Sequence, residues 1–240
     1  MSSTVRLYFP DKIQSDLSSH LPKEQTHYLK DVMRLKIGDK LSIYNTSGEW
    51  NAVIESYEKN RAKIKITAKA KDKDNEKNIW LAFSPIKQNP LNFLIQKGTE
   101  LGVQKFIPIL SEITMVREIN IKRIKKIIVE ACEQSNRISV PEIRNPGSLK
   151  NFFSEFPKNG HLIFCDINSN QKNLKNILSK KTDGPICILI GPEGDFSENE
   201  RKMIIDFNRT YSISLTKNIL KAETAALSAI TIVNYHLNLS

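Results

Sequence analysis

Cysteine is scarce: Cys132, Cys165 and Cys187 are far apart and odd in number. A disulfide framework needs an even set and a zinc site needs close ligands, so neither is expected and a reducing cytosol is the default compartment. No apolar run approaches the roughly 18 residues that cross a bilayer, so no membrane is expected as a partner. Arg6 and polar neighbours interrupt the opening ten residues, where a signal peptide would be apolar. The nine glycines form no G-x-G-x-x-G turn, and no Gly-Lys-Ser/Thr ending exists. Dinucleotide binding of Rossmann type, P-loop hydrolysis and Rossmann-like methyl transfer thus lose their usual phosphate or cofactor turn. Four histidines (His20, His27, His161 and His236) lack ligand spacing, so no metal is expected. Nor is there a G-x-S-x-G nucleophile elbow.

What the chain does have is ordinary bulk and a strong positive balance. At 240 residues, 40% hydrophobic and 26% charged, it can bury a core, which excludes a disordered or fibrous chain. Thirty-six Lys+Arg against 26 Asp+Glu leave a net charge of +10. A positive surface gains by releasing counterions from phosphates, so nucleic acid is the partner to test.

Residues 1–73 read as a small β-rich unit. Strands are expected at 5–9, 40–44, 49–57 and 61–71, with a helix from Pro22 to about Arg34. In the last strand Ala62, Ile64, Ile66 and Ala68 alternate with Arg61, Lys63, Lys65, Thr67 and Lys69, giving one packed face and one cationic face. That cationic face is either solvated or a track for an RNA backbone. Residues 71–77 (KDKDNEK) lack any apolar side chain and read as the linker. From 78 to 240, strand and helix alternate. Strands are expected at 79–83, 106–110, 161–165, 186–190 and 211–215, and helices at 89–101, 121–136 and 222–237. This pattern argues an α/β domain with a parallel sheet.

Two segments carry candidate chemistry. In ICILIGPEGDFSENE an apolar strand runs into Gly191-Pro192-Glu193-Gly194, and Ser197 with Glu200 forms a capping box. Ligands of parallel sheets bind at the carboxyl ends of strands. Gly191 and Gly194 would let backbone approach a flat ligand, and Pro192 removes an amide donor that a phosphate cradle would want. The second segment, LTKNILKAETAA, joins the last strand to the last helix. Lys217 and Lys221 there stand near a helix start, where the macrodipole disfavours cations by about 0.3–1 kcal/mol.

Taken in order, several blocks resemble the SPOUT methyltransferases, and within them the ribosomal RNA small subunit methyltransferase E family. They are Arg6-Leu7-Tyr8-Phe9-Pro10; Val32-Met33-Arg34-Leu35 with Gly38-Asp39; and Ile95–Val103 (IQKGTELGV) with Pro108. Glu130-Ala131, Glu133-Gln134-Ser135, Arg137 and Val140-Pro141-Glu142 follow. Last come Ile190-Gly191-Pro192-Glu193-Gly194 and Ile219-Leu220 with Glu223-Thr224-Ala225. Three positions depart: Asp195 stands where the family has glycine, Lys221 where it has arginine, and Ile113 where an arginine is common.

The resemblance implies a PUA-like β-barrel that grips RNA, then a SPOUT-type parallel-sheet domain tied in a trefoil knot. S-adenosylmethionine would be held bent between the two segments above. Leu189, Ile190, Gly191, Glu193 and Gly194 would bind it from the first, and Leu215, Asn218, Ile219, Leu220 and Thr224 from the second. The implied reaction methylates N3 of one uridine in 16S ribosomal RNA, free or in the small ribosomal subunit, by a cytoplasmic homodimer. In-line transfer from a sulfonium needs no metal, but uridine N3 must lose its proton, and the charge spreads to O2 and O4. Lys221, Arg6 and Arg137 are the catalytic candidates for stabilising that charge, with Arg34 also considered. Glu193 or Glu223 could accept the proton. Arg34, Lys36, Lys63 and Lys65 are the candidates for RNA contact. A SPOUT enzyme acting on transfer RNA, or a non-catalytic assembly factor, are the alternatives.

Overall fold

The structure is a computed structural model that describes residues 5–73, 76–169 and 184–238. It divides into two compact units: Met1–Asn75 with Cys132–Val140, and Glu76–Ala131 with Pro141–Ser240.

The first unit is a five-stranded sheet in the order β1-β3-β4-β5-β2. Its strands are β1 (Arg6–Tyr8), β2 (Ser18–His20), β3 (Lys40–Asn45), β4 (Gly48–Glu58) and β5 (Arg61–Lys71). β1 runs parallel to β3; the other pairings are antiparallel. Lys59 and Asn60 join β4 to β5 with φ of 44° and 65°, the two left-handed residues of a tight hairpin whose twist matches its strands. Gly48 begins β4 at φ 137°, and a Cβ there would stand 2.5 Å from the Lys71 carbonyl. Ala62, Ile64 and Ile66 enter the core, but Ala68 is exposed, so the alternation expected of β5 ends at Ile66. Each fully buried isoleucine or leucine contributes about 1.5–3 kcal/mol.

The helix expected from Pro22 to Arg34 is shorter. α1 (Lys23–His27) gives way to a widened π turn over Tyr28–Val32. The Leu35 amide bonds back to the Leu29 carbonyl at 2.9 Å, and Arg34 takes φ 54°, which stops the helix. β2 was not anticipated; Ser18–His20 is half exposed and has no apolar alternation.

The second unit is a parallel sheet in the order β12-β10-β11-β6-β7-β8, with β9 also on β7. Its central strands are β6 (Ile79–Phe83), β7 (Val103–Leu110), β10 (His161–Cys165), β11 (Ile186–Ile190) and β12 (Thr210–Ile213). β8 (Glu142–Ile143) and β9 (Gly147–Ser148) are short edge pieces. Every residue of β11 is buried, as a strand covered on both faces requires.

The helices of this unit are α2 (Gln88–Glu100), α3 (Ile121–Gln134, of which 132–134 belong to the first unit), α4 (Leu149–Glu155), α5 (Glu198–Asp206) and α6 (Ala222–Asn238). One face of the sheet, with Leu162, Phe164, Cys187 and Leu189, meets Leu149 and Phe152 of α4 and Ile204 of α5. α2 and α6 pack on each other, and Asn234 Nδ2 donates to the Leu101 carbonyl at 2.7 Å. Gly98 lets α2 lie against Phe106, whose ring would be 3.0 Å from a Cβ. α4, a seven-residue helix capped by Ser148, lies outside the helices expected from the apolar pattern.

Candidate functional site

Three adjacent strands, β12, β10 and β11, end at one edge, and the chain leaving each of them lines a cleft of about 570 Å³. That volume falls in the roughly 300–1,000 Å³ range of small-molecule sites. From β10 come Cys165, Asp166 and Ile167; from β11, Ile190 and the loop Gly191–Asp195; from β12, Leu215 to Ala222, apart from Lys217; and from α6, Ala225.

The loop after β11 is a tight turn, with the Asp195 amide donating to the Pro192 carbonyl at 3.0 Å. Asp195 has φ 65°, a left-handed conformation that glycine takes freely and aspartate tolerates. Its Oδ1 accepts from the Phe196 amide at 2.7 Å, so the side chain braces the conformation it occupies. The departure from glycine is therefore accommodated locally. A Cβ on Gly191 would stand 3.1 Å from the Phe196 ring, and one on Gly194 3.0 Å from Ile113 Cγ2. Both glycines are closely packed against protein, and a Cβ at either would require its neighbour to give by a few tenths of an ångström.

Capping follows the expected pattern: Ser197 Oγ accepts from the Glu200 amide at 3.3 Å, and Glu200 Oε2 accepts from the Ser197 amide at 3.1 Å. In the cleft wall, the buried Asp166 carboxylate pairs with Arg201 and accepts from the Asn168 amide at 2.9 Å. Burial pushes the Cys165 thiol up to about 12, so it lines the cleft as a neutral, weakly polar surface and not as a nucleophile.

Of the residues expected to hold a cofactor, Ile190, Gly191, Glu193, Gly194, Leu215, Asn218, Ile219 and Leu220 line this cleft. Leu189 and Thr224 are not among its walls: Leu189 is buried in the core against α4 and α5, and Thr224 is exposed on α6. Lys221 lines the cleft and is exposed where α6 begins. The walls from Cys165 to Ile167 went unread, because only the strand order puts β10 between β12 and β11.

Arg6 and Arg137 are built into the frame of the first unit. Both are buried, and the Arg6 nitrogens donate to Glu49 Oε2 at 2.9 Å, the Cys132 carbonyl at 2.8 Å and the Arg137 carbonyl at 2.9 Å. Arg34 and Lys36 are exposed, as is Lys65, whereas Lys63 is half-buried and meets Glu55 at 3.3 Å. Glu193 stands exposed in the loop after β11, and Glu223 is half-buried in the first turn of α6.

Residues 73–234 match the RNA methyltransferase domain family, and residues 21–67 match the RNA methyltransferase PUA domain. The chain is 32% identical over 228 residues to the ribosomal RNA small subunit methyltransferase E of Rickettsia conorii, spanning 94% of this chain and 93% of that one. Against the protein of the same name from Buchnera aphidicola subsp. Schizaphis graminum it is 31% identical over 234 residues, 94% of each. The crystal structure of a ribosomal RNA small subunit methyltransferase E from Neisseria gonorrhoeae bound to S-adenosylmethionine superposes with a TM-score of 0.87 at 29% identity, covering 97% of both chains. The first unit is accordingly PUA-like and the second an α/β domain of SPOUT type. Two domain matches in order and full-length likeness to these relatives mean that the chain belongs to the ribosomal RNA small subunit methyltransferase E family.

Proposed function

We propose that this protein transfers a methyl group from S-adenosylmethionine to N3 of a uridine in 16S ribosomal RNA. The observation that carries the reading is the cleft at the carboxyl ends of β10, β11 and β12, in a chain that matches the S-adenosylmethionine-bound relative over 97% of its length. The wall chemistry fits a flat, partly apolar molecule with a polar tail. Ile167, Ile190, Leu215, Leu220 and Ala225 offer apolar contact, while Thr216 and Asn218 offer polar groups. When bound there, S-adenosylmethionine supplies an electrophilic methyl group.

Lys221 places a cation at the wall of the cleft, where negative charge on the uracil oxygens would be stabilised as N3 loses its proton. A lysine keeps the charge of the family's arginine but not its planar fork of donors, so it acts here as a point charge. Arg6, bonded to Glu49 and to two backbone carbonyls, that of Arg137 among them, serves to hold the first unit together. Arg34, Lys36 and Lys65, exposed on that unit, contribute to binding the RNA. The loops 191–197 and 214–221 are the crossings of a trefoil knot, and the active form is a cytoplasmic homodimer whose substrate is 16S RNA or the small subunit.

Nucleoside mass spectrometry of 16S RNA from cells with and without the protein tests the reading. A methylated uridine that disappears on deletion and returns with the gene is expected. An unchanged 16S profile, with the loss appearing in transfer RNA or nowhere, would overturn it.

A further inference from the structure

Glu200 occupies the third position of α5 and is only 7% exposed. A glutamate there ordinarily reaches back to the amide of the capping residue, and one oxygen suffices. Here the second oxygen is also used: Oε1 accepts from the Glu112 amide at 2.9 Å, 88 residues earlier in the chain. Glu112 belongs to a turn after β7 that is braced internally. The Ser111 amide donates to Thr114 Oγ1 at 2.8 Å, the two hydroxyls are 2.7 Å apart, and both residues are buried. The next residue, Ile113, abuts Gly194, as its 3.0 Å approach to the absent Cβ shows. Loop 191–197 is thus held near its tip by Ile113 and at its base by Glu200, and both holds end in the turn 111–114.

We propose that Glu200 is a positioning residue, which docks the turn 111–114 onto loop 191–197 and so keeps the cleft shaped for S-adenosylmethionine. The inference rests on the cofactor reading above. A buried carboxylate accepting two amide hydrogens makes charge-assisted bonds in a setting where an unmade bond is costly. Shape at Gly194 then follows from a residue that does not itself line the cleft.

The capping and docking roles can be separated. Ser197→Ala removes the capping hydroxyl but leaves both amides that Glu200 accepts from, whereas Glu200→Ala removes the docking bond as well. Two readouts on the full-length protein compare them: backbone hydrogen exchange over residues 111–114 and 193–195, and S-adenosylmethionine affinity by calorimetry. Glu200→Ala is expected to speed exchange in both segments and weaken binding by about tenfold or more. Ser197→Ala should lower the melting temperature while leaving exchange over 111–114 and the affinity within about twofold. If Glu200→Ala does not fold, Glu200→Met, which keeps most of the volume but accepts from neither amide, is read the same way. Unchanged exchange over 111–114 in the Glu200 variant, or equal effects of both variants on affinity, would overturn the proposal. Should the wild type bind no S-adenosylmethionine, the cofactor reading fails, and exchange alone still decides whether Glu200 joins the two loops.

Discussion

The guanidinium carbon of Arg6 lies 3.6 Å from the centre of the Tyr44 ring, a cation–π contact, while its nitrogens bond to Glu49 and two backbone carbonyls. Tyr44 is fully buried, and burial, chiefly, raises its phenol far above the ordinary value. A cation enclosed in this way organises the strand β1, the hairpin β3–β4 and the segment Cys132–Val140 into one unit.

That arrangement predicts a stability phenotype for Arg6. Arg6→Met should cost about 3 kcal/mol or more, because Glu49 and two carbonyls lose a buried charged partner. Chemical denaturation measures it. A variant of unchanged stability with abolished turnover would instead return Arg6 to the reaction.

Lys221 should behave in the opposite way. Being exposed, its replacement by alanine is expected to change stability by no more than about 0.5 kcal/mol. Turnover should drop about a hundredfold or more if it faces the developing oxyanion. S-adenosylmethionine affinity, measured alongside, should move little, and Lys221→Arg should retain most activity.

The left-handed turn at Asp195 gives a third expectation. Asp195→Gly should leave stability within about 1 kcal/mol, since glycine takes φ 65° at no steric cost. Asp195→Val should lose about 1–3 kcal/mol and weaken cofactor binding, because a β-branched side chain is strained there. Thermal unfolding with and without S-adenosylmethionine checks both.

A fourth concerns pH. His161 is half-buried and stacks on Tyr211 at 5.8 Å; desolvation first, then the charge of Arg209, lowers its pKa. The unfolded chain therefore binds the proton more readily than the folded one. Its contribution to stability is complete above the unfolded value of about 6.5 and declines as pH falls through that value toward the folded one. Relative to His161→Phe, the wild type should lose melting temperature between pH 7.5 and 5. A constant difference across that range would show that His161 does not titrate in this way.

Much of the fold was legible before any tertiary information. Strands Arg61–Lys71, Ile79–Phe83, His161–Cys165 and Ile186–Ile190 fall where the apolar pattern put them, since period and propensity act over a few residues. The capping box at Ser197 and Glu200 is equally local. β2, β8 and β9, two or three residues each, lack such a pattern and exist because a neighbouring strand offers its edge. Most of the cleft was legible too, because Gly191-Pro192-Glu193-Gly194 and the segment around Asn218 are motifs as well as walls.

Composition and pattern alone pointed to the α/β character of the chain, and motif order to its family; both follow from short-range chemistry written along the backbone. Long-range packing decided the rest. It inserted β10 between β11 and β12, so that Cys165, Asp166 and Ile167 became walls of the cleft. It drew Cys132–Val140 into the first unit, where its carbonyls take up the charge of Arg6, and it joined Glu200 to Glu112 across 88 positions. Such pairings depend on which surfaces can be buried together once the chain has closed, and no local pattern encodes that choice.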